Sequence, residues 1–150
     1  MAKTLGFWVA VIDPRSVFAS RERLPEADAL LVEWPEPALE QAALDAGCFV
    51  VTLTHDPKVD LPALAQALRT PACYIGAMGS RRTHEGRKAR LREQGFGDED
   101  LARIRGPVGL DLGGRSPEEI ALAILAEILA VRNRADARPL CEGAGAVHPR

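Results

Sequence analysis

The chain passes from a strand into a helix over the sequence YIGAMGSRRTH, residues 74–84. An apolar run stops at two glycines, Gly76 and Gly79, and a helix then opens with two cations, Arg81 and Arg82. Cations at a helix N-terminus face the positive end of the helix dipole and destabilise the helix unless an anion lies there as well. Glycines let backbone N–H groups approach an anion closely, and helix N-termini bind phosphates. The stretch therefore predicts a site for a phosphate-bearing ligand, and the alternative is a tight turn with solvated arginines.

Apolar strand-like runs alternate with helical segments along the rest of the chain. Strands are predicted over 7–12, 29–32, 48–54 and 72–77, and residues 107–112 are predicted to form a strand or an extended loop. Helices are predicted over 37–46, 61–68, 80–94, 98–104 and 116–134, with Asp60 and Ser116 as N-caps. Strands that are apolar on both faces belong to parallel sheets covered by helices, so the fold class is α/β with a mainly parallel sheet. We expect one domain over residues 1–134 and a flexible tail over 135–150.

Composition excludes several classes of protein. The net charge of −2 over 150 residues argues against nucleic acid as the main partner. No signal peptide is evident and no apolar stretch is long enough to span a bilayer, so a cytoplasmic location is expected. The three cysteines predict no disulfide framework, and those in apolar runs are expected to be buried thiols. Cys141 and His148 would make a poor metal site, and the basic run 81–92 predicts, in its second half, a solvated helix face.

Polar residues follow several predicted strands. In parallel sheets ligands bind at the carboxyl ends of the strands, so these segments are expected to converge. They are Asp13-Pro14-Arg15, Thr54-His55-Asp56-Pro57-Lys58, residues 76–82, and the segment 109–115 around Asp111. Each has a plainer interpretation as a turn. Asp13 could contact a ribose, or it could belong to a turn or cap a helix. His55 could transfer a proton, or it could form only a local hydrogen bond. Lys58 could bind phosphate or simply be exposed to solvent.

The last predicted helix is apolar nearly all round, with one acid, Glu127, interrupting its apolar residues. A helix that is apolar on every side has to be covered on every side, by the sheet and by another helix or a second chain. A homodimer is therefore expected, and Glu127 is expected to face solvent or an interface.

Four motifs in series resemble the C-terminal Rossmann-like domain of the XdhC/CoxI family, over roughly residues 5–134. They are THDPK at 54–58, YIGAMGSRRTH at 74–84, RGPVGLDLG at 105–113, and the helix from 116 to 132. The series is far more specific than a single glycine pattern. Family members are accessory proteins for molybdenum hydroxylases such as xanthine dehydrogenase and carbon monoxide dehydrogenase.

The resemblance implies a maturation factor without turnover chemistry of its own. It would bind the molybdenum cofactor, a pterin with a phosphate or dinucleotide tail, shield it during sulfuration, and pass it to the apo-hydroxylase. A cysteine desulfurase is a further implied partner. The family motifs imply a set of cofactor-binding residues: Asp13, His55, Asp56, Gly76, Gly79, Ser80, Arg81, Arg82 and Asp111. Arg15 and Lys58 are two further candidates, because they also follow predicted strands.

Two departures from the family pattern bear on this expectation. The family's usual first strand, glycine-rich loop and helix precede the segment that begins here near Thr4, and its separate N-terminal domain is also not matched. The expected sheet therefore lacks a central strand, which would leave backbone groups unpaired. Either neighbouring strands close the gap, another chain supplies the strand, or the sequence is a fragment.

Two further functions stay open at the level of sequence. A nicotinamide-dependent oxidoreductase binding NAD or NADP would need a phosphate loop near the first strand, and the sequence has no G-x-G-x-x-G. A remnant acting only in the association of protein chains would need no ligand.

Overall fold

The computed structural model describes residues 1–143 and shows strands alternating with helices. The strands are β1 Ala10–Ile12, β2 Ala29–Leu31, β3 Phe49–Thr52, β4 Tyr74–Ala77 and β5 Ile104–Arg105. The helices are α1 Pro35–Gln41, α2 Pro57–Leu68, α3 Arg81–Glu93, α4 Asp98–Ala102 and α5 Pro117–Asn133. The α/β class is confirmed.

The strands form two parallel sheets. One has the order β1-β2 and pairs Ala10 with Ala29. The other has the order β3-β4-β5 and pairs Phe49 with Tyr74. All pairings are parallel, as predicted, but the chain winds outward in two directions from a break between β1 and β3. Neighbouring strands therefore do not close the gap within residues 1–143.

Helices cover both faces of the larger sheet. Ile75 and Ala77 of β4 face a core built with α2, α3 and α4, while Tyr74 packs with Ile124 and Ile128 of α5. Successive strand residues point to opposite faces, so α5 lies on the face opposite α2 and α3. Phe7 reaches this second cluster from the N-terminal segment and meets Phe49 edge to face, with ring centroids 5.5 Å apart.

Helix starts follow local sequence. The Ser80 hydroxyl accepts from the Thr83 N–H and caps α3, and Ser116 forms the predicted capping box with Glu119. The start predicted for α2 is wrong: the helix begins at Pro57 and its cap is Asp56. Proline at the first helical position and Asp56 before it supply a stronger start signal than Asp60. Asp60 lies inside the helix and is buried.

Other boundaries differ from the predicted ones. Residues 107–112, predicted to form a strand or an extended loop, form the extended loop, and the sheet ends with the two-residue β5 just before it. Pro107 has no N–H to donate to a ladder, which disfavours a strand that begins there. Helix α1 begins two residues earlier than predicted and ends at Gln41, and β1 occupies only the last three residues of its predicted run.

The apolar surface of α5 is only partly covered by the described residues. Ile124 and Ile128 are buried, but Leu122 is 54% exposed. All three cysteines are free. The two in apolar runs were expected to be buried, but Cys48 is only half-buried and Cys73 is exposed. Residues 135–143 are exposed and contain one short turn, and His148 lies outside the described residues. Among the described residues no helix is long and apolar enough to cross a membrane.

Candidate functional site

The carboxyl ends of β3, β4 and β5 lie side by side. The Met78 N–H donates to the Thr52 carbonyl at 2.9 Å, and the Val108 N–H donates to the Ala77 carbonyl at 3.2 Å. The segments that follow these strands therefore start at one edge of the sheet, as the sequence predicts.

Asp13 and Arg15, just after β1, bind each other. Arg15 Nε and Nη2 donate to the two Asp13 carboxylate oxygens, each at 2.8 Å, and the Arg15 N–H donates to Asp13 Oδ1 at 2.9 Å. The Arg15 guanidinium lowers the pKa of Asp13. It also lies over the Phe18 ring, 4.3 Å from its centroid. The pair is thus largely self-neutralised, which weakens Arg15 as a free anion ligand.

The segment after β3 caps a helix. The Asp56 carboxylate accepts from the Lys58 N–H at 3.0 Å, and the Thr54 hydroxyl accepts from the Asp56 N–H at 2.8 Å. These contacts give Asp56 a structural role that requires no ligand. The side chains of His55 and Lys58 are exposed.

A cavity of about 220 Å³ opens between α2 and α3 and has His55 on its wall. The other residues that line it are Pro57, Asp60, Thr83, Gly86, Arg87 and Arg90. Asp60 and Arg87 form a buried ion pair, and Arg87 also donates to the Met78 carbonyl at 2.6 Å. Burial raises the pKa of Asp60, and the Arg87 guanidinium opposes that rise. Arg87 was expected on a solvated face, so that expectation is wrong for this residue.

The two glycines within residues 74–84, Gly76 and Gly79, have different surroundings. Gly76 lies inside β4, where a Cβ would stand 2.5 Å from Val108 Cγ2 and 2.8 Å from the Tyr74 ring. Its missing side chain therefore makes room for packing. Gly79 follows the strand with φ +141°, a conformation that L side chains rarely adopt, and a Cβ there would lie 3.1 Å from Arg87 Nη1. Gly79 is thus the glycine that turns the chain into α3.

Arg81 and Arg82 occupy the first turn of α3, and both are exposed. Neither forms an ion pair with a carboxylate of residues 1–143, and the first turn of α3 contains no acidic residue. The first backbone N–H groups of a helix have no intrahelical acceptor. Two cations and these N–H groups therefore produce a positive surface beside Gly79. Neither arginine lines the cavity that contains His55.

Asp111 lies apart from the other predicted residues. It lines a second cavity, of about 350 Å³, between the loop after β5 and the first turns of α5. None of the other predicted site residues lines this cavity. The structure thus gathers the segments that follow β3 and β4 and leaves Asp111 in different surroundings.

Glu127 is a structural position that sequence reasoning misread. Its side chain is 13% exposed and accepts from the Tyr74 hydroxyl at 2.6 Å and from the Gly109 N–H at 2.8 Å. Arg105 donates to its other oxygen at 3.3 Å. The expectation that Glu127 faces solvent or an interface is wrong. An acid among apolar helix residues signals a buried partner, but the sequence does not say which.

Comparison with known proteins decides the family. The sequence-family model of the XdhC Rossmann domain matches residues 1–128. The chain belongs to this family. The XdhC resemblance predicted from the motifs is confirmed.

The relatives that the chain matches are longer than the chain itself. The chain is 36% identical over 135 residues to the uncharacterized protein YqeB of Escherichia coli, covering 25% of that protein. It is 40% identical over 96 residues to the molybdenum cofactor insertion chaperone PaoD of Escherichia coli, covering 64% of this chain and 30% of PaoD. It is 31% identical to a protein of Bacillus subtilis described as a probable xanthine dehydrogenase subunit, covering 38% of that protein.

A solved structure has the same fold. A chain described as a xanthine dehydrogenase from Bacillus halodurans superposes with a TM-score of 0.74 at 29% identity, over 92% of this chain and 39% of the other. This likeness confirms the Rossmann-like fold. The chain spans less than two fifths of the length of each of these relatives.

Proposed function

We propose that this protein is an accessory factor for molybdenum hydroxylases, which binds the molybdenum cofactor through its phosphate and delivers it to the apo-enzyme. The observation that carries the proposal is the first turn of α3, where Arg81 and Arg82 are exposed without a carboxylate partner among the described residues. Family membership and the similarity to PaoD, a molybdenum cofactor insertion chaperone, support the same role.

The residues present fit a phosphate group. Each arginine costs about 0.3–1 kcal/mol of helix stability through the dipole when no anion is bound. A phosphate oxygen at the turn accepts hydrogen bonds from guanidinium and backbone N–H groups together. Gly79 leaves the approach free of a side chain, and Ser80 fixes the helix start. The cargo thus compensates the energetic cost of the two cations.

The remaining predicted residues have graded roles in this proposal. His55 and Lys58 are exposed at the neighbouring strand end and contact the cargo beyond its phosphate. Asp13, Arg15, Asp56 and Gly76 hold the edge in shape through the contacts described above. Asp111 belongs to the second cavity and contacts only an extended, dinucleotide-bearing cargo.

Assembly is the other part of the proposal. The hydroxylase that receives the cofactor and a cysteine desulfurase that sulfurates it are the proposed partners. A homodimer forms through the uncovered side of α5, where Leu122 is exposed. Leu122→Lys is expected to convert the dimer into a monomer in sedimentation experiments, and a monomeric wild-type chain would contradict the dimer.

Pterin content tests the cargo. The chain is purified from cells that make molybdenum cofactor and is oxidised under denaturing conditions, and the fluorescent pterin is then quantified. We expect close to one pterin per chain, and at least a tenfold loss in the double variant Arg81→Glu with Arg82→Glu.

A matched control changes the same net charge elsewhere. Arg92 and Arg138 are exposed arginines in surface ion pairs with Asp98 and Asp136. Reversal of both is expected to leave pterin content unchanged. Absence of pterin from the wild-type chain, with thermal stabilisation by NAD or NADP, would contradict the proposal.

A further inference from the structure

A buried carboxylate oxygen lacks a hydrogen-bond donor beside the cavity between α2 and α3. Asp60 lines this cavity, is 1% exposed, and pairs through Oδ2 with Arg87. Its other oxygen, Oδ1, is buried and has no hydrogen-bond partner among residues 1–143. A buried acceptor without a donor destabilises the folded chain. A ligand that brings an N–H donor to this wall of the cavity removes that cost.

Gly86 lines the same cavity from the middle of α3. A glycine in a helix interior is less favourable than alanine, because it loses more conformational freedom on folding. A Cβ at Gly86 would meet nothing within 4 Å, whereas the space beside Gly76 is filled by Val108. Packing within the described part of the chain therefore does not require the glycine at position 86. The glycine instead widens the cavity and presents bare helix backbone to it.

The α3 wall of the cavity also has a cation without a carboxylate. Arg90 lines the cavity four positions after Gly86 and three after Arg87, so the three residues share one face of the helix. Arg90 is exposed and forms no ion pair with any residue from 1 to 143. The cavity therefore has an acceptor at Asp60 and a donor at Arg90, and it suits a ligand that has both kinds of group.

The size of the cavity suits a small ring system. An apolar cavity of about 150 Å³ binds a single benzene ring. A volume of about 220 Å³ therefore has space for two fused rings. Pro57 of α2 and Gly86 of α3 provide apolar surface from both helices. A 2-aminopyrimidin-4-one ring, which pterin and guanine share, has N–H donors and a carbonyl acceptor along one edge of a flat, fused ring system.

We propose that the cavity between α2 and α3 binds a 2-aminopyrimidin-4-one ring, with its N–H edge at Asp60 Oδ1, its carbonyl at Arg90 and its flat face against Gly86. Thr83 joins this cavity to the phosphate site, because it lines the cavity and belongs to the first turn of α3. The inference rests on the proposed function, since it gives a place to the ring of a cargo whose phosphate binds at that turn.

Amide NMR titration of the intact chain with two matched pairs of ligands tests the ring site. Pterin-6-carboxylate and lumazine-6-carboxylate differ only in the amine or carbonyl at ring position 2. GMP and AMP have the same ribose phosphate and different rings. We expect the signals of Gly86 and Arg90 to shift with saturation. We also expect at least tenfold tighter binding of the pterin in the first pair, or of GMP in the second if the ring is a guanine. Equal affinities within both pairs overturn the inference.

Substitutions on α3 locate the ring. Gly86→Leu fills the cavity without a change of charge, and leucine is the better helix former, so ring affinity is expected to fall at least tenfold while the melting temperature does not fall. Ala89→Leu, at an exposed position outside the cavity lining, is the matched control. Arg90→Gln is expected to weaken ring binding at least tenfold, and Arg92→Gln, also outside the lining, is expected not to. Equal affinity in Gly86→Leu and Ala89→Leu would overturn the placement.

Pyrophosphate separates this inference from the proposed function. It has no ring, so its binding at the first turn of α3 is expected to be the same in Gly86→Leu as in the wild-type chain. Pyrophosphate binding at that turn without a ring preference overturns the ring site alone. Ring preference without pyrophosphate binding contradicts the proposed phosphate site instead.

Discussion

Tyr74 in β4 donates its hydroxyl hydrogen to the Glu127 carboxylate in α5 over 2.6 Å, across 53 positions of sequence. The same carboxylate oxygen accepts from the Gly109 N–H, so one acidic side chain joins the central strand, the loop after β5 and the last helix. Burial, with this hydrogen bond second, raises the pKa of Tyr74 well above its ordinary value.

Removal of the carboxylate is expected to destabilise the fold. Glu127→Ala leaves the Tyr74 hydroxyl and the Gly109 N–H without their acceptor, at a cost of about 1–3 kcal/mol for each buried group. Tyr74→Phe removes a single bond and is expected to cost about 1–2 kcal/mol. Urea unfolding of both variants measures these losses of unfolding free energy, and the loss is expected to be larger for Glu127→Ala than for Tyr74→Phe. Glu118→Ala, at an exposed position in the first turn of α5, is the control, and equal losses in all three variants would contradict the assignment.

The buried pair of Asp60 and Arg87 makes a different prediction. Asp60→Leu or Arg87→Met alone leaves one buried charge without a partner and is expected to cost about 3–5 kcal/mol of unfolding free energy. The double variant is expected to recover most of that loss, because both charges are then absent. A thermodynamic cycle from urea unfolding measures the coupling, and additive losses would show that the two side chains act independently.

Acid sensitivity is expected from His84. It is buried on α3, and its Nδ1 has no hydrogen-bond partner among residues 1–143. Burial, followed by the charge of Lys88, lowers its pKa below the ordinary 6.5. The unfolded chain therefore binds the proton more readily, and the free energy of unfolding falls as the pH drops below 6.5. Urea unfolding across this range checks the slope, which His84→Gln is expected to reduce. An unchanged slope in the variant would assign it to other groups.

Charge reversal at the start of α3 is expected to separate stability from binding. Glutamates at positions 81 and 82 face the positive end of the dipole, so Arg81→Glu with Arg82→Glu is expected to raise unfolding free energy by about 0.3–1 kcal/mol per site. Arg92→Glu, in the last turn of the same helix, is expected to lower it. Thermal and urea unfolding without ligand measure both. Destabilisation by the N-terminal pair would mean that the arginines already have partners in the free protein.

Local signals were readable from the sequence and long-range pairings were not. The cap at Ser116 was predicted correctly because cap and helix are neighbours in sequence. The partners of Glu127 and Arg87 lie 53 and 27 positions away, and no local pattern indicates them. The same limit explains why Arg87 looked solvated within a basic run, and why Gly76 looked like a ligand approach when Val108 occupies its space.

Strand composition predicts the direction in which strands pair, but it does not predict the order of the strands in the sheet. Apolar strands predicted parallel pairing correctly because both faces need cover. Strand order depends on which edges meet, and the sequences of β1 and β3 read as interior strands although each has one free edge within residues 1–143.

The most direct measurement of the central claim is an amide NMR titration of the chain with pyrophosphate, a probe for the phosphate portion of the cofactor. The backbone signals of Arg81, Arg82 and Thr83 are expected to shift with saturation in the wild-type chain, and the affinity is expected to fall at least tenfold in the double charge-reversal variant. Shifts confined to the cavity around Asp111, or equal affinity in both proteins, would contradict phosphate binding at the first turn of α3.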